Sequence, residues 1–257
     1  MPSSRSESST EAHTGRRALD PGKRQALGIA LSLILVLIAF QCARLGVAGL
    51  IVELAYIEQD RWRASAHAQP MDEISRVAGY FSDSLGYVPA NPWALEGLGA
   101  LDLARMRVSK VPAEAHAFAE DARARFREAL RQRPSSPFLW ANLALSKLYL
   151  DQLDDEFVAA LRHADEQGPW EPATQRVVLF AGLAAWQKLA PGMRQSVARV
   201  VERGAMRDGQ KLFEIVKSYR RFDLVCALSS YDAVAGAECR KAARAAIFPE
   251  PTRKGNR

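Results

Sequence analysis

The sequence predicts an all-α protein, with an N-terminal single transmembrane helix followed by a helical-repeat domain. Three observations predict this. A long uncharged apolar run lies near the N-terminus, apolar residues recur at helical spacing through the rest of the chain, and prolines interrupt that spacing at short intervals. No period-2 strand of convincing length competes with the helical reading.

Residues 1–24 are rich in Ser, Arg and Thr without apolar periodicity, the signature of a disordered tail. Residues 26–40 are then almost wholly apolar, and with Gln41, Cys42 and Ala43 the uncharged stretch reaches Arg44. A span of about 18 residues is close to the ~20 that cross a hydrocarbon core, and Arg44 can snorkel at its end. This places a transmembrane helix at 25–44. A cleaved signal peptide is the main competitor, but the run exceeds a typical h-region and no A-x-A site follows. A lipoprotein reading of Cys42 fails because Phe40 and Gln41 stand where small residues are required. Arg16, Arg17, Lys23 and Arg24 crowd the N-terminal flank, whereas Arg44 is the only basic residue beyond the span before Arg61. The positive-inside rule then puts the N-terminus in the cytoplasm of a bacterium and the main domain in the periplasm, on a single-pass inner-membrane anchor.

Membrane-proximal helices are expected over 45–90, with Leu54, Ile57 and Trp62, then Met71, Ile74, Val77 and Phe81 at helical spacing. A helical domain follows over 91–246. Pro92 suits the first turn of a helix carrying Leu95, Leu98, Leu101 and Leu103. Pro112 opens a helix over 113–133 that Pro134 stops, and Pro137 opens 138–150. Asp151, Asp154, Asp155 and Glu156 form a turn into 156–167. They read as caps to backbone amides, against an acid/base or Ca²⁺ cluster. Gly168-Pro169-Trp170-Glu171-Pro172 is an interhelix corner, with Trp170 either a packing plug or a partner contact. Helices over 174–189, 193–205, 211–228 and 233–246 follow, then a basic disordered tail at 247–257.

Composition excludes several functions. The net charge of +6 comes from Arg and Lys scattered among acids, as in 120–128, so nucleic acid is not an expected partner. Four isolated histidines and three cysteines supply no metal-ligand spacing, and no Gly-rich phosphate loop or nucleophile motif occurs. No catalytic residue, cofactor or metal is expected. Cys226 and Cys239 stand 13 positions apart. They are either a disulfide formed in an oxidising compartment or two small buried residues.

The second helix of a tetratricopeptide repeat has the form A-x3-F-x2-A-x4-P. Ala122, Phe126, Ala129 and Pro134 supply it here, and Trp140, Leu143 and Ala144 fall where the next repeat's first helix needs them. The small residues admit close helix approach, Phe fills the gap between repeats, and Pro halts the helix. The domain therefore resembles a TPR-like α-solenoid. In that register Phe138, Ala141, Leu145, Leu148 and Tyr149 line an inner groove that is filled by a helix of the chain itself or takes an apolar partner segment. More narrowly, residues 126–137, 140–145, 168–172 and 182–186 resemble the VpsP-type proteins, membrane-anchored TPR-like proteins found with bacterial exopolysaccharide gene clusters. That resemblance implies a non-catalytic scaffold or accessory role in exopolysaccharide biosynthesis or export. The implied contacts are membrane lipid through the N-terminal helix and protein partners of a synthesis or export complex. The alternatives are a periplasmic peptide- or glycan-binding chaperone module, or a glycan-modifying enzyme with unrecognised residues.

Overall fold

The computed structural model describes residues 21–64 and 69–247, and all regular structure among them is helical. The predicted tail at 1–24 lies outside the described residues as far as position 20, and the predicted tail at 247–257 does so from 248 onward. The chain divides into two compact units, residues 1–45 and 46–257.

Helix α1 (Pro21–Ala64) has one stretch, Gln25–Trp62, long and apolar enough to cross a membrane. In the first unit its side chains are exposed on every face, Leu33, Val36 and Phe40 among them. A helix apolar all round, with none of the described residues packed on it there, suits lipid rather than water. The helix neither stops nor breaks at Arg44, so the membrane-proximal region begins as the same helix.

In the second unit, Ala48, Val52 and Ala55 of α1 are buried against α2 (Met71–Tyr87) and α3 (Pro92–Val108). Ser84 donates its hydroxyl to the Ala48 carbonyl at 3.0 Å, and the Tyr56 ring meets Phe81 edge-on at 5.4 Å. Asn91 caps α3 by accepting the Trp93 amide at 3.1 Å.

From α3 the chain proceeds in antiparallel neighbours. Helix α4 (Pro112–Gln132) packs on α3, α5 (Pro137–Tyr149) on α4, α6 (Asp155–Gln167) on α5, and α8 (Pro191–Ser218) on α7 (Pro172–Ala184). In addition α5 touches α7, and α6 touches α8. Proline occupies the first turn of α3, α4, α5, α7 and α8, where its missing amide hydrogen costs nothing. One continuous core runs from Leu95 to Ala235 and includes the fully buried Ala122, Phe126, Ala129, Leu143 and Ala144.

Three elements depart from the expected boundaries. The helix expected over 174–189 ends at Ala184 and gives way to a 3₁₀ turn at Trp186–Lys188. The helices expected over 193–205 and 211–228 are joined in α8, which bends where Asp208 leaves helical geometry (φ −146°, ψ 25°). The Asp208 carboxylate is held there by Arg176 of α7. Finally, α8 stops at Ser218 because Arg220 takes a left-handed φ of 54°. Phe222 and Val225, which carried the helical spacing onward, pack on the same core from a 3₁₀ turn and the segment after it.

Helix α9 (Asp232–Ile247) is tied to the segment after α8 by a Cys226–Cys239 disulfide, with Cα atoms 5.5 Å apart. Closing a loop of this length contributes up to about 3 kcal/mol in the chain-entropy model. Reduction, or Cys226→Ser with Cys239→Ser, should lower unfolding stability by up to that amount. Thiol labelling of the unfolded, unreduced chain should find both sulfurs blocked; two reactive thiols would refute the staple.

Candidate binding groove

Helix α5 lies against both α3 and α7. A hollow of about 360 Å³ opens there, lined by Arg107, Leu145, Tyr149, Ala173, Arg176, Val177, Phe180 and Ile215. Its floor is apolar. Phe180 is braced edge-on by Tyr219 at 5.9 Å, while Leu145 continues into the core. Arg176 is committed to Asp208, and no carboxylate lines the hollow. Arg107 is exposed and makes no ion pair among the described residues.

Of the five positions expected to face an inner groove, Leu145 and Tyr149 do so. Ala141 is fully buried, Leu148 is half-buried against the core, and Phe138 faces the α4–α5 corner instead. No helix among the described residues fills the hollow. The lining missed from sequence comes from the end of α3, from α7 and from Ile215 of α8. The third helix pair lacked the repeat's signature residues, so nothing marked Val177 or Phe180 as groove-facing.

Trp140 is half-buried rather than a core plug. Its indole nitrogen donates to the Pro134 carbonyl at 2.8 Å, and its ring lies 4.6 Å from the ring of His163. Trp170 is 53% exposed, so it is not a plug either. The corner that carries it is fixed by its backbone. The Pro169 carbonyl accepts from Gln175 at 2.5 Å and Arg203 at 3.3 Å, and the Trp170 carbonyl accepts from Arg207 at 3.0 Å. Gly168 is required there, because a Cβ would stand 2.6 Å from the Pro137 ring.

The acidic turn is structural in its contacts. Asp154 accepts the Phe157 amide at 3.0 Å as an N-cap and binds the Lys147 ammonium at 2.9 Å. Glu156 takes the same ammonium at 2.6 Å and also pairs with Arg127. Arg127 and then Lys147 pull the Glu156 carboxyl down to about 2. Asp102, buried between α3 and α4, is pushed up to about 6 by burial against the opposing pull of Arg125 and Arg105. Asp165 is likewise raised by burial, with Arg203 opposing. Each of these carboxylates faces an arginine or lysine of a neighbouring or adjoining helix, not the hollow.

Comparison with family models, curated proteins and solved structures finds no match.

Proposed function

We propose that this chain is a membrane-anchored, non-catalytic scaffold whose TPR-like array holds an apolar segment of a partner protein in the α3/α5/α7 hollow. The open hollow carries the reading: an apolar floor without a carboxylate, beside the arginine of Arg107, suits an extended or helical segment with apolar anchors and an acidic side chain. The occupation of Asp154 and Glu156 by Lys147 and Arg127 supports a structural role for the residues that an enzyme reading would have recruited. The setting is a bacterial inner membrane, with the N-terminus cytoplasmic and the domain periplasmic. The task is accessory to exopolysaccharide synthesis or export, and the sequence resemblance supports it. Peptide binding is the form of the alternative reading that the open hollow favours over glycan binding, since a groove of aliphatic and aromatic side chains offers few hydroxyl partners.

The test is exopolysaccharide yield at matched protein levels. Val177→Asp combined with Arg107→Glu should reduce yield strongly, while Asp154→Asn, Asp155→Asn and Glu171→Gln singly should leave it near normal. A single carboxylate-to-amide change that abolishes yield in a folded, abundant protein would overturn the scaffold reading. Alkaline phosphatase fused after Arg257 should be active, and an inactive fusion at normal abundance would overturn the periplasmic placement.

A further inference from the structure

Helix α1 carries two apolar faces in the second unit. Ala48, Val52 and Ala55 pack on α2 and α3. Val47, Leu50, Leu54 and Ile57 lie roughly 150° round the helix from them. These four are 39–63% exposed, and none joins either apolar core. Their steps of three, four and three residues are those of the a and d positions of a coiled coil. Ala48 and Ala55 then fall at b and Val52 at f, away from the seam, and Arg61 at the next a position ends it.

Lipid does not cover this face. The stretch Gln25–Trp62 has 38 residues, about 57 Å at 1.5 Å per residue, against a hydrocarbon core of about 30 Å. Part of it therefore stands outside the bilayer core. Ser84 of α2 binds the Ala48 carbonyl at 3.0 Å and Arg76 of α2 reaches Glu58 at 3.5 Å, so α2 runs beside α1 from Ala48 to Glu58. That length of α2 presents exposed Arg76 and Asp83, and α1 itself presents exposed Glu53. Charged side chains are costly in hydrocarbon, which puts Leu50, Leu54 and Ile57 in the aqueous layer. Nor can the rest of the chain cover them. Residues 1–20, 65–68 and 248–257, which lie outside the described residues, hold only Met1, Leu19 and Phe248 as large apolar side chains.

We propose that this face of α1 pairs in parallel with the same face of a second copy of the chain. A shared membrane anchor sets both copies in one orientation and at one depth. Each seam residue then meets its own counterpart, the isologous arrangement of a two-fold dimer. In that pairing Glu53, at g, faces Glu58 of the second copy, at e. Glu58 is already met by Arg61 at 2.8 Å and by Arg76, and Glu73 on Arg76 completes a neutral group, so Glu53 meets no bare charge. Four part-exposed side chains per copy fall short of the ~800 Å² per partner of a free-standing interface. Anchoring makes up the difference, because copies held in one membrane meet at a raised effective concentration without any new contact. The inference rests on the anchor of the proposed function and not on its groove.

The experiment oxidises membranes carrying the full chain with copper phenanthroline, in a Cys42→Ser background with one added cysteine. Cys226 and Cys239 are joined to each other and do not contribute. Leu50→Cys and Leu54→Cys should each give a product of twice the chain's mass. Gly49→Cys, on another face and with open space for its Cβ, should give little of it. Leu50→Asn with Leu54→Asn should lower cross-linking through Ile57→Cys about tenfold, since polar groups in the seam weaken pairing. Both positions are exposed, and far-UV circular dichroism checks that the fold is kept. Equal cross-linking at Gly49 and Leu50 would show random collision and overturn the proposal. So would no product at any seam position of membrane-bound protein, or a product joined to a different protein. A chain absent from the membrane fraction would overturn the anchor reading, and the proposal with it.

Discussion

Phe126→Ala is expected to lower the stability of the helical domain by about 3–5 kcal/mol, the usual cost of emptying a buried aromatic site. The side chain is fully buried on α4. Its ring lies so close to α3 that a Cβ on Gly99 would stand 2.7 Å from Cε1. Backbone therefore forms one wall of the site, and a backbone wall cannot collapse into the cavity as a flexible side chain can. Trp140→Ala should cost less, because Trp140 is half-buried and held at the rim by one hydrogen bond and the His163 ring. Urea unfolding of both variants decides the order. If Trp140→Ala proves the more damaging, the packing centre has been assigned to the wrong repeat position.

The second large effect is expected at Lys147, whose side chain is 1% exposed and whose ammonium meets only the carboxylates of Asp154 and Glu156 among its ion-pair partners. Asp154→Asn or Glu156→Gln alone leaves one counter-charge and should be tolerated. The double variant leaves a sealed ammonium without one, which typically costs about 3–5 kcal/mol. Adding Lys147→Met to that double variant should restore most of the loss, since an apolar side chain of similar length carries no charge to strand. Failure of the methionine to rescue would mean that the carboxylates act through something other than the lysine. The pH dependence follows from the same contacts. Glu156 has a folded-state pKa below its ordinary value, so its stabilisation is present above about 4.5 and is lost as pH falls toward about 2. Glu156→Gln should flatten that acid limb. Asp102 has the opposite sign: its pKa is raised to about 6, so its contribution is greatest below about 4 and declines as pH rises through about 6.

Much of the architecture was legible in the sequence because it depends on local chemistry. Prolines at 92, 112, 137 and 172 mark helix starts, since a first-turn residue lacks an intrahelical amide partner. The Ala122–Phe126–Ala129 spacing put three residues into the core, because a period near 3.6 keeps one face inward. The same periodicity misled at the end of α8. Phe222 and Val225 are buried as their spacing predicts, yet burial says nothing about whether the backbone between them stays helical, and Arg220 breaks it. The bend at Asp208 was hidden for a related reason: its anchor, Arg176, is 32 positions away. The groove was the least legible part. It draws Arg107, Tyr149, Phe180 and Ile215 from four helices, and their convergence is a property of the packing rather than of any one segment.

The order of packing follows the order of synthesis. From α3 to α6, and again from α7 to α8, each helix finds its principal neighbour next to it in the chain, and the Cys226–Cys239 link closes only a short terminal loop. Few contacts wait for distant sequence, so the chain can consolidate pair by pair as it emerges, without long-lived exposure of the whole apolar core. A nascent chain released after α6 would already contain both helices that meet where the Phe126 ring packs on Gly99.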